Sequence, residues 1–308
     1  MTSDRTWLDW DSDGARWPLR ETSRFVRAGG YRWHLQQSGP DHAPQILLLH
    51  GTGAASFSWR TLVPLLRDRF RLIVPDLPCH GFTWPEGSMD LSPEGMTTAL
   101  NALLGHLGLR PDLIVGHSAG AVIGLALIPD RRHAEASPAG GCQRVFAVNG
   151  ALTPIRGNRV LSPIAKALFA NPLSASMFSL LASTTPLGRN LVAATGSPID
   201  AEGEALYRLL LGCRGHVRGA LGMMASWDLS RLPSLLRRLP VPLDLLAARD
   251  DPMVPASSSQ TAAGLVRHGS LTLTETGGHL LHECAPETVA AWIGDTVAER
   301  QTTGVDAA

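Results

Sequence analysis

The run Leu113-Ile114-Val115-Gly116-His117-Ser118-Ala119-Gly120-Ala121-Val122 constrains the fold of this 308-residue chain more than any other stretch. Three consecutive apolar residues suit a strand buried on both faces of a parallel sheet. Small residues at 116 and 120 allow a turn tight enough to bring backbone segments into contact. A helix is expected over 119–127. Such a strand-turn-helix lifts the Ser118 hydroxyl above the strand ends and leaves the next N–H, that of Ala119, at a helix N-terminus facing the same point. A bare Gly-x-Ser-x-Gly is a weak pattern, matched by ordinary Gly-rich turns; the flanking strand and helix make this one specific.

The rest of the chain repeats the strand-helix rhythm. Strands are expected near 23–27 and 31–37, with Gly29-Gly30 as hairpin chemistry between them. Further strands are expected at 46–49, 70–75, 113–115, 144–148, 243–248 and 270–274. Helices are expected at 58–67, 92–107 (Ser92 as N-cap, Pro93 at the first position), 119–127, 257–266 and 286–299. Alternation of this kind implies a mostly parallel sheet with helices on both faces. Between 153 and 238 the rhythm stops, and helical patches are broken by Pro154, Pro163, Pro172, Pro186 and Pro198. The organisation expected is a leader over 1–20 bearing Trp7, Trp10 and Trp17, an α/β core over 21–152 and 239–300, an inserted helical cap over 153–238, and a frayed tail over 301–308.

Composition removes several function classes. Lys+Arg and Asp+Glu both number 27, so overall charge gives no reason to expect a nucleic-acid partner. With 44% hydrophobic residues the chain can bury a sizeable core. Cys79, Cys142, Cys213 and Cys284 show no Cys-x-x-Cys spacing, so no structural metal site is expected, and no cofactor is expected either. Residues 1–10 carry Asp4 and Asp9 and no apolar run, unlike a secretory signal, and no stretch approaches the roughly 18 apolar residues of a membrane span. A cytoplasmic protein with reduced thiols is expected, with peripheral membrane contact left open.

Chemistry around Ser118 needs an oxyanion donor, an acid and a base. His50-Gly51-Thr52-Gly53 follows the strand at 46–49, and the Thr52 N–H joins that of Ala119 as the expected donor pair. The acid belongs after the strand at 243–248, where Asp250 and Asp251 both qualify. Asp251, four residues before Pro255, is favoured, and Asp250 then serves as a turn residue. The base follows the last strand: His279, directly after Gly277-Gly278, is favoured over His282. His80 and His117 read as loop packing, and Arg131-Arg132-His133 and Arg237-Arg238 as solvated ends.

At these motifs the sequence resembles the α/β-hydrolase superfamily over about residues 20–300. Narrower tracts add to this: Arg16-Trp17-Pro18, Ser23-Arg24-Phe25-Val26, Pro75-Asp76-Leu77-Pro78, Asn149-Gly150-Ala151-Leu152 and, in the insertion, the stretch from His216 to Ala225. Together they look like the BchO-type magnesium chelatase accessory proteins of bacteriochlorophyll biosynthesis. That resemblance implies action near magnesium insertion into protoporphyrin IX, with protoporphyrin IX or Mg-protoporphyrin IX and magnesium chelatase subunits as partners. Two positions depart from the superfamily pattern: Cys79 stands at the usual first glycine of Pro-Gly-His-Gly, and Cys284 where an acidic residue is common after the base.

Two function classes follow. One is a serine hydrolase of a bulky apolar substrate, an ester or a C–C bond. Haloalkane dehalogenases and epoxide hydrolases resemble this fold but use an aspartate at the turn, so Ser118 argues against both. The other is a tetrapyrrole-binding accessory protein on the same scaffold. For either, the insertion is expected to line an apolar pocket over Ser118 through Phe178, Met223, Met224 and Trp227, with Phe169 in the same apolar set. His216 is placed by this reading within reach of a bound metal centre.

Overall fold

The computed structural model describes residues 6–129, 135, 137–153, 167, 171 and 173–303. Arg131, Arg132, His133, Pro154, Pro163, Phe169 and Pro172 lie outside the described residues. One nine-stranded sheet organises the molecule. Its strands are β1 (Ser23–Ala28), β2 (Tyr31–Ser38), β3 (Gln45–Leu49), β4 (Arg71–Pro75), β5 (Trp84–Pro85), β6 (Leu113–His117), β7 (Arg144–Val148), β8 (Leu243–Ala248) and β9 (Gly269–Thr274). The order is β1-β2-β4-β3-β6-β7-β8-β9, with β5 paired to β2. From β4 to β9 every pairing is parallel, while β1, β2 and β4 pair antiparallel.

The sequence explains why these strands take these places. Every residue of β6, β7 and β8 is buried, as expected of strands covered on both faces, whereas β1 and β9 at the edges are partly exposed. Along β3, Ile46 and Leu48 enter one core cluster with Trp59, Val289 and Ile293, and Leu47 and Leu49 enter the other with Leu100, Leu103 and Ile123. The strand's two-residue period thus feeds both helical layers.

The helices framing the core are α1 (Val63–Leu66), α2 (Pro93–Leu107) and α3 (Ala119–Leu127). Between β7 and β8 the described helices are α4 (Ser174–Thr184), α5 (Leu187–Ala193), α6 (Ala201–Leu211), α7 (Arg214–Ala225) and α8 (Leu232–Arg238). The chain closes with α9 (Ala256–Leu265), α10 (Leu281–Cys284) and α11 (Pro286–Thr303). Ser92 caps α2 by accepting the Gly95 N–H at 3.1 Å. The stretch before β1 packs through Trp10 and Trp17, which both meet Phe82 edge-on, and its Thr6 carbonyl accepts the Gly215 N–H of α7.

Two expected elements differ. The last helix, expected over 286–299, runs on to Thr303 as α11, three residues into the expected tail. The helix expected over 58–67 is instead a 3-10 turn at Ser56–Trp59 followed by the four-residue α1. Pro64 has no N–H to offer the Arg60 carbonyl, and the bonds Arg60 N–H to Phe57 O and Leu62 N–H to Trp59 O close tighter turns instead. The two-residue β5 is an addition too short for a hydropathy pattern to reveal.

Candidate active site

The carboxyl ends of β3, β6, β7 and β8 align, with Leu49 beside Gly116, His117 beside Val148, and Val148 beside Leu246. His50, Ser118, Asn149 and the loop carrying Asp250 and Asp251 therefore leave the sheet at one edge, where parallel α/β sheets bind ligands. Ser118 takes φ 51° and ψ −117°, a conformation costly for any residue with a Cβ. The turn is locked on both sides. A Cβ at Gly120 would overlap the Leu49 and His50 carbonyls, and one at Gly116 would overlap the Ala121 backbone. The Ser118 N–H donates to Val148 O at 3.1 Å, and its carbonyl accepts the Ala121 and Ala151 N–H groups.

Ser118 Oγ lies 3.0 Å from His279 Nε2, and His279 Nδ1 donates to Asp251 Oδ2 at 2.8 Å. The other Asp251 oxygen accepts the Met253 and Val254 N–H groups at 2.7 and 2.9 Å, which fixes the carboxylate. Asp250 has a different place. Its oxygens accept the Gly277 and Gly278 N–H groups at 3.2 and 2.8 Å, shaping the loop that carries His279. His282 does not reach Ser118; its Nε2 pairs with Ser58 Oγ at 2.8 Å.

Gly51 sits so close to the turn that a Cβ there would lie 3.1 Å from Ser118 Cβ, which brings the loop bearing Thr52 against the serine. His50 pins this loop, with Nδ1 donating to Gly51 O at 2.8 Å and Nε2 accepting the Leu77 N–H at 2.9 Å. Burial holds its pKa below the ordinary histidine value, consistent with a neutral ring that both donates and accepts. Ala119 is the first residue of α3, so its N–H has no partner four residues back in the helix. Both N–H groups expected to serve as oxyanion donors thus belong to segments that converge on Ser118.

The four pocket candidates divide. Met223 is fully buried and its sulfur accepts the Thr52 hydroxyl at 3.2 Å. Phe178 packs against Ala175, Val217 and Leu221, and Trp227 packs half-buried on the main core. Met224 is 43% exposed. His216 does not offer itself to a metal: Nδ1 accepts the Gly81 N–H at 3.2 Å and Nε2 donates to Gly53 O at 3.1 Å, leaving no free lone pair. Among the described residues no group of three or more His, Cys, Asp or Glu side chains is placed to hold a metal ion. Cys79, the departure at the usual glycine, keeps a glycine-like φ of 63°. Its room comes from Gly219 of α7, where a Cβ would stand 2.7 Å from that of Cys79.

Sequence reasoning gave Asn149, Glu283, Ser197 and Thr195 no part in the site, and read His117 as loop packing, which the structure bears out. Asn149 donates from Nδ2 to the Gly278 and His279 carbonyls at 2.8 and 2.9 Å and accepts the Ala248 N–H at 2.9 Å. It holds a φ of 45°, a conformation that Asn tolerates better than most residues. His117 donates from Nε2 to His279 O at 2.8 Å, and burial holds it well below the ordinary histidine pKa. Next to the loop, Glu283 is fully buried on Arg60 at 2.6 Å, Ser58 at 2.5 Å and Tyr207 at 2.6 Å. Burial raises the Glu283 pKa, and the Arg60 guanidinium pulls against that rise. Ser197 and Thr195 also reach the loop, and no local pattern marks either.

Comparison with known proteins agrees with this architecture. Residues 46–292 match the Alpha/beta hydrolase family. The chain is 36% identical over 283 residues to the "Magnesium-chelatase 30 kDa subunit" of Rhodobacter capsulatus, covering 91% of this chain and 96% of that one. Among solved structures, the enol-lactonase from Burkholderia xenovorans LB400 superposes with a TM-score of 0.69 at 18% identity, over 89% of this chain and 100% of that one. A thermophilic esterase from Thermogutta terrifontis does so with a TM-score of 0.69 at 19% identity, over 90% and 98%. These structural likenesses establish the fold. The chain belongs to the alpha/beta hydrolase family, with a magnesium-chelatase 30 kDa subunit as a relative along nearly its whole length.

Proposed function

We propose that this protein is an accessory protein of the magnesium chelatase step of bacteriochlorophyll biosynthesis, protoporphyrin IX to Mg-protoporphyrin IX, built on a working serine hydrolase site. The chemical half rests on the hydrogen-bonded chain Ser118–His279–Asp251. The biological half rests on the 36% identical relative and its name. In this reading Ser118 Oγ attacks a carbonyl carbon and its proton passes to His279 Nε2. Asp251 holds the imidazole in the tautomer that can take it. The N–H groups of Thr52 and Ala119 hold the negative oxygen of the tetrahedral intermediate. The leaving group departs with the proton from His279, and water, activated by the same imidazole, releases the acyl group.

Residues 1–20 then act as a leader, 21–152 and 239–300 as the core, 301–308 as a tail, and 153–238 as a cap over Ser118. Phe178, Met223, Met224 and Trp227 contribute to an apolar chamber for a large planar ligand. Magnesium chelatase subunits are the protein partners, and the location is cytoplasmic, with peripheral membrane contact left open. Among the described residues no helix is long and apolar enough to cross a membrane.

Titration with protoporphyrin IX, followed by absorbance, tests the pigment half. Wild type and Ser118→Ala bind saturably, and Met223→Trp binds poorly. Equal, weak, non-saturable uptake by all three defeats it and leaves a generic serine esterase or C–C hydrolase of a bulky apolar substrate. Labelling by a fluorophosphonate tests the chemical half: wild type reacts, Ser118→Ala does not, and an inert wild type defeats it.

A further inference from the structure

The loop carrying His279 is gripped from two sides. Core residues hold one side: Asp250 takes the Gly277 and Gly278 N–H groups, and Asn149 and His117 hold the His279 carbonyl. The other side is held by the turn between α5 and α6, from the inserted helices. Ser197 Oγ donates to Gly277 O at 2.8 Å and accepts the Leu280 N–H at 2.7 Å. One hydroxyl therefore spans the loop on both sides of His279. The Thr195 carbonyl accepts the His279 N–H at 2.8 Å. Gly196 lies so close that a Cβ on Gly278 would stand 2.5 Å from the Gly196 carbonyl carbon.

A second tie joins the inserted helices to the same stretch of chain but bypasses the loop. Asp200 at the start of α6 binds Arg60 at 2.6 Å, and Tyr207 within α6 binds Glu283 at 2.6 Å. Glu283 is four residues past His279. The two ties separate two roles. The Tyr207 tie anchors the insertion to the core, whereas the Ser197 tie ends on the groups flanking the imidazole's own residue.

We infer that Ser197 is a positioning residue for His279, and that through it the inserted helices set the distance and angle of the imidazole to Ser118. The inference rests on the reading of Ser118, His279 and Asp251 as the reacting groups. Removing the hydroxyl leaves the buried Leu280 N–H without its acceptor and leaves the half-buried Gly277 carbonyl with only the Cys284 thiol, 3.1 Å away, so the loop must rearrange to satisfy the N–H. Displacement of a base by about 1 Å is enough to cost roughly 100-fold in rate.

The test compares Ser197→Ala, Ser197→Thr and Tyr207→Phe in the full chain, with two readouts. One is the rate of fluorophosphonate labelling. The other is the downfield proton resonance of the His279 Nδ1–H bonded to Asp251, assigned by its loss in His279→Gln. Ser197→Ala slows labelling by roughly 10- to 100-fold and broadens the resonance. Ser197→Thr, which keeps the hydroxyl, restores both. Tyr207→Phe lowers the melting temperature and changes neither. A sharp, unshifted resonance in Ser197→Ala, no such resonance in wild type, or equal effects from Ser197→Ala and Tyr207→Phe overturns the inference. A resonance that responds as stated in a protein that no probe labels upholds the positioning role and defeats the hydrolase reading instead.

Discussion

The two halves of the site are held in opposite ways. Ser118 is fixed by close backbone packing at its own turn: Gly116 meets Gly120 and Ala121 within six residues, Gly120 meets the Leu49 and His50 carbonyls, and the φ of 51° is held by that packing. His279 is fixed from afar. Its loop is stitched by Asn149, Ser197 and Asp250, and its imidazole by Asp251, residues drawn from three separate loops. The Ser118 side is a matter of close backbone packing at one turn. The base side is a tertiary agreement among segments, and so can be disturbed from many distant positions.

The largest expected effect separates the two adjacent aspartates. Asp251→Asn removes the carboxylate that selects the tautomer of His279 and lowers labelling of Ser118 by about 10⁴-fold. Asp250→Asn keeps one acceptor oxygen for the Gly277 and Gly278 N–H groups and costs roughly tenfold, by loosening the loop. Comparable losses in the two variants, read from labelling rates, overturn the division of labour between them.

On the nucleophile side, Gly116→Ala forces a Cβ into the Ala121 backbone, which no side-chain rotation can relieve. A loss of about 3 kcal/mol in unfolding free energy is expected, read by urea denaturation. A loss below about 1 kcal/mol means that the turn opens readily and that the nucleophile side is not the rigid half.

Acid attacks two groups of buried histidines, His50 with His80 and His216, and His117 with His282. Burial lowers the pKa of His50, His80, His117 and His282, and lowers that of His216 to about 4. Each folded pKa lies below the unfolded value, so the unfolded chain binds protons that the folded chain refuses. Stability is complete above pH 6.5 and falls as the pH drops toward the folded values. His216 alone accounts for about 3 kcal/mol between pH 6.5 and 4. Asp76, held at about 2 against its burial by His34, adds a further loss as pH falls below its ordinary value. Glu283, raised by burial, acts with the opposite sign and gains stability on protonation. Unfolding midpoints that stay level from pH 7 to 4.5 contradict the neutrality of these buried histidines.

This contrast also explains what the sequence made legible. The bounds of α3, β7 and β8 agree with those expected from the sequence, because hydrophobic runs and flanking turn residues are local signals. Ser118 stood out because its geometry is written within five residues. Asn149, Ser197 and the Arg60–Glu283 pair carry no such signature: an asparagine after a strand, a serine in a polar turn and an arginine near a proline are commonplace until the fold brings them to the loop. The short α1 was misjudged for a related reason. Its apolar spacing looks helical, and Pro64 together with the buried role of Arg60 decides otherwise.

The smallest effect sharpens the comparison most, because it reverses a usual sign. Within a helix, Ala121→Gly is expected to cost about 1 kcal/mol. At position 118 the order should invert. The serine pays for φ 51° and ψ −117° through its Cβ, and alanine keeps that Cβ while losing the hydroxyl. Strain of this kind costs about 1–3 kcal/mol, and glycine escapes it but gives back about 0.5–1 kcal/mol in unfolded-chain entropy. Ser118→Gly is therefore expected to be more stable than Ser118→Ala by about 1 kcal/mol. Both variants lack the bond to His279, so that loss cancels in the comparison. On the base side glycine is favoured for the same reason, and there the site is lost with it. Gly278→Ala places a Cβ at φ 61° against Gly196, and is expected to lose stability together with the His279 resonance. If Ser118→Ala proves as stable as Ser118→Gly, the strain lies elsewhere than in the turn, and the two halves are held more alike than their hydrogen bonds suggest.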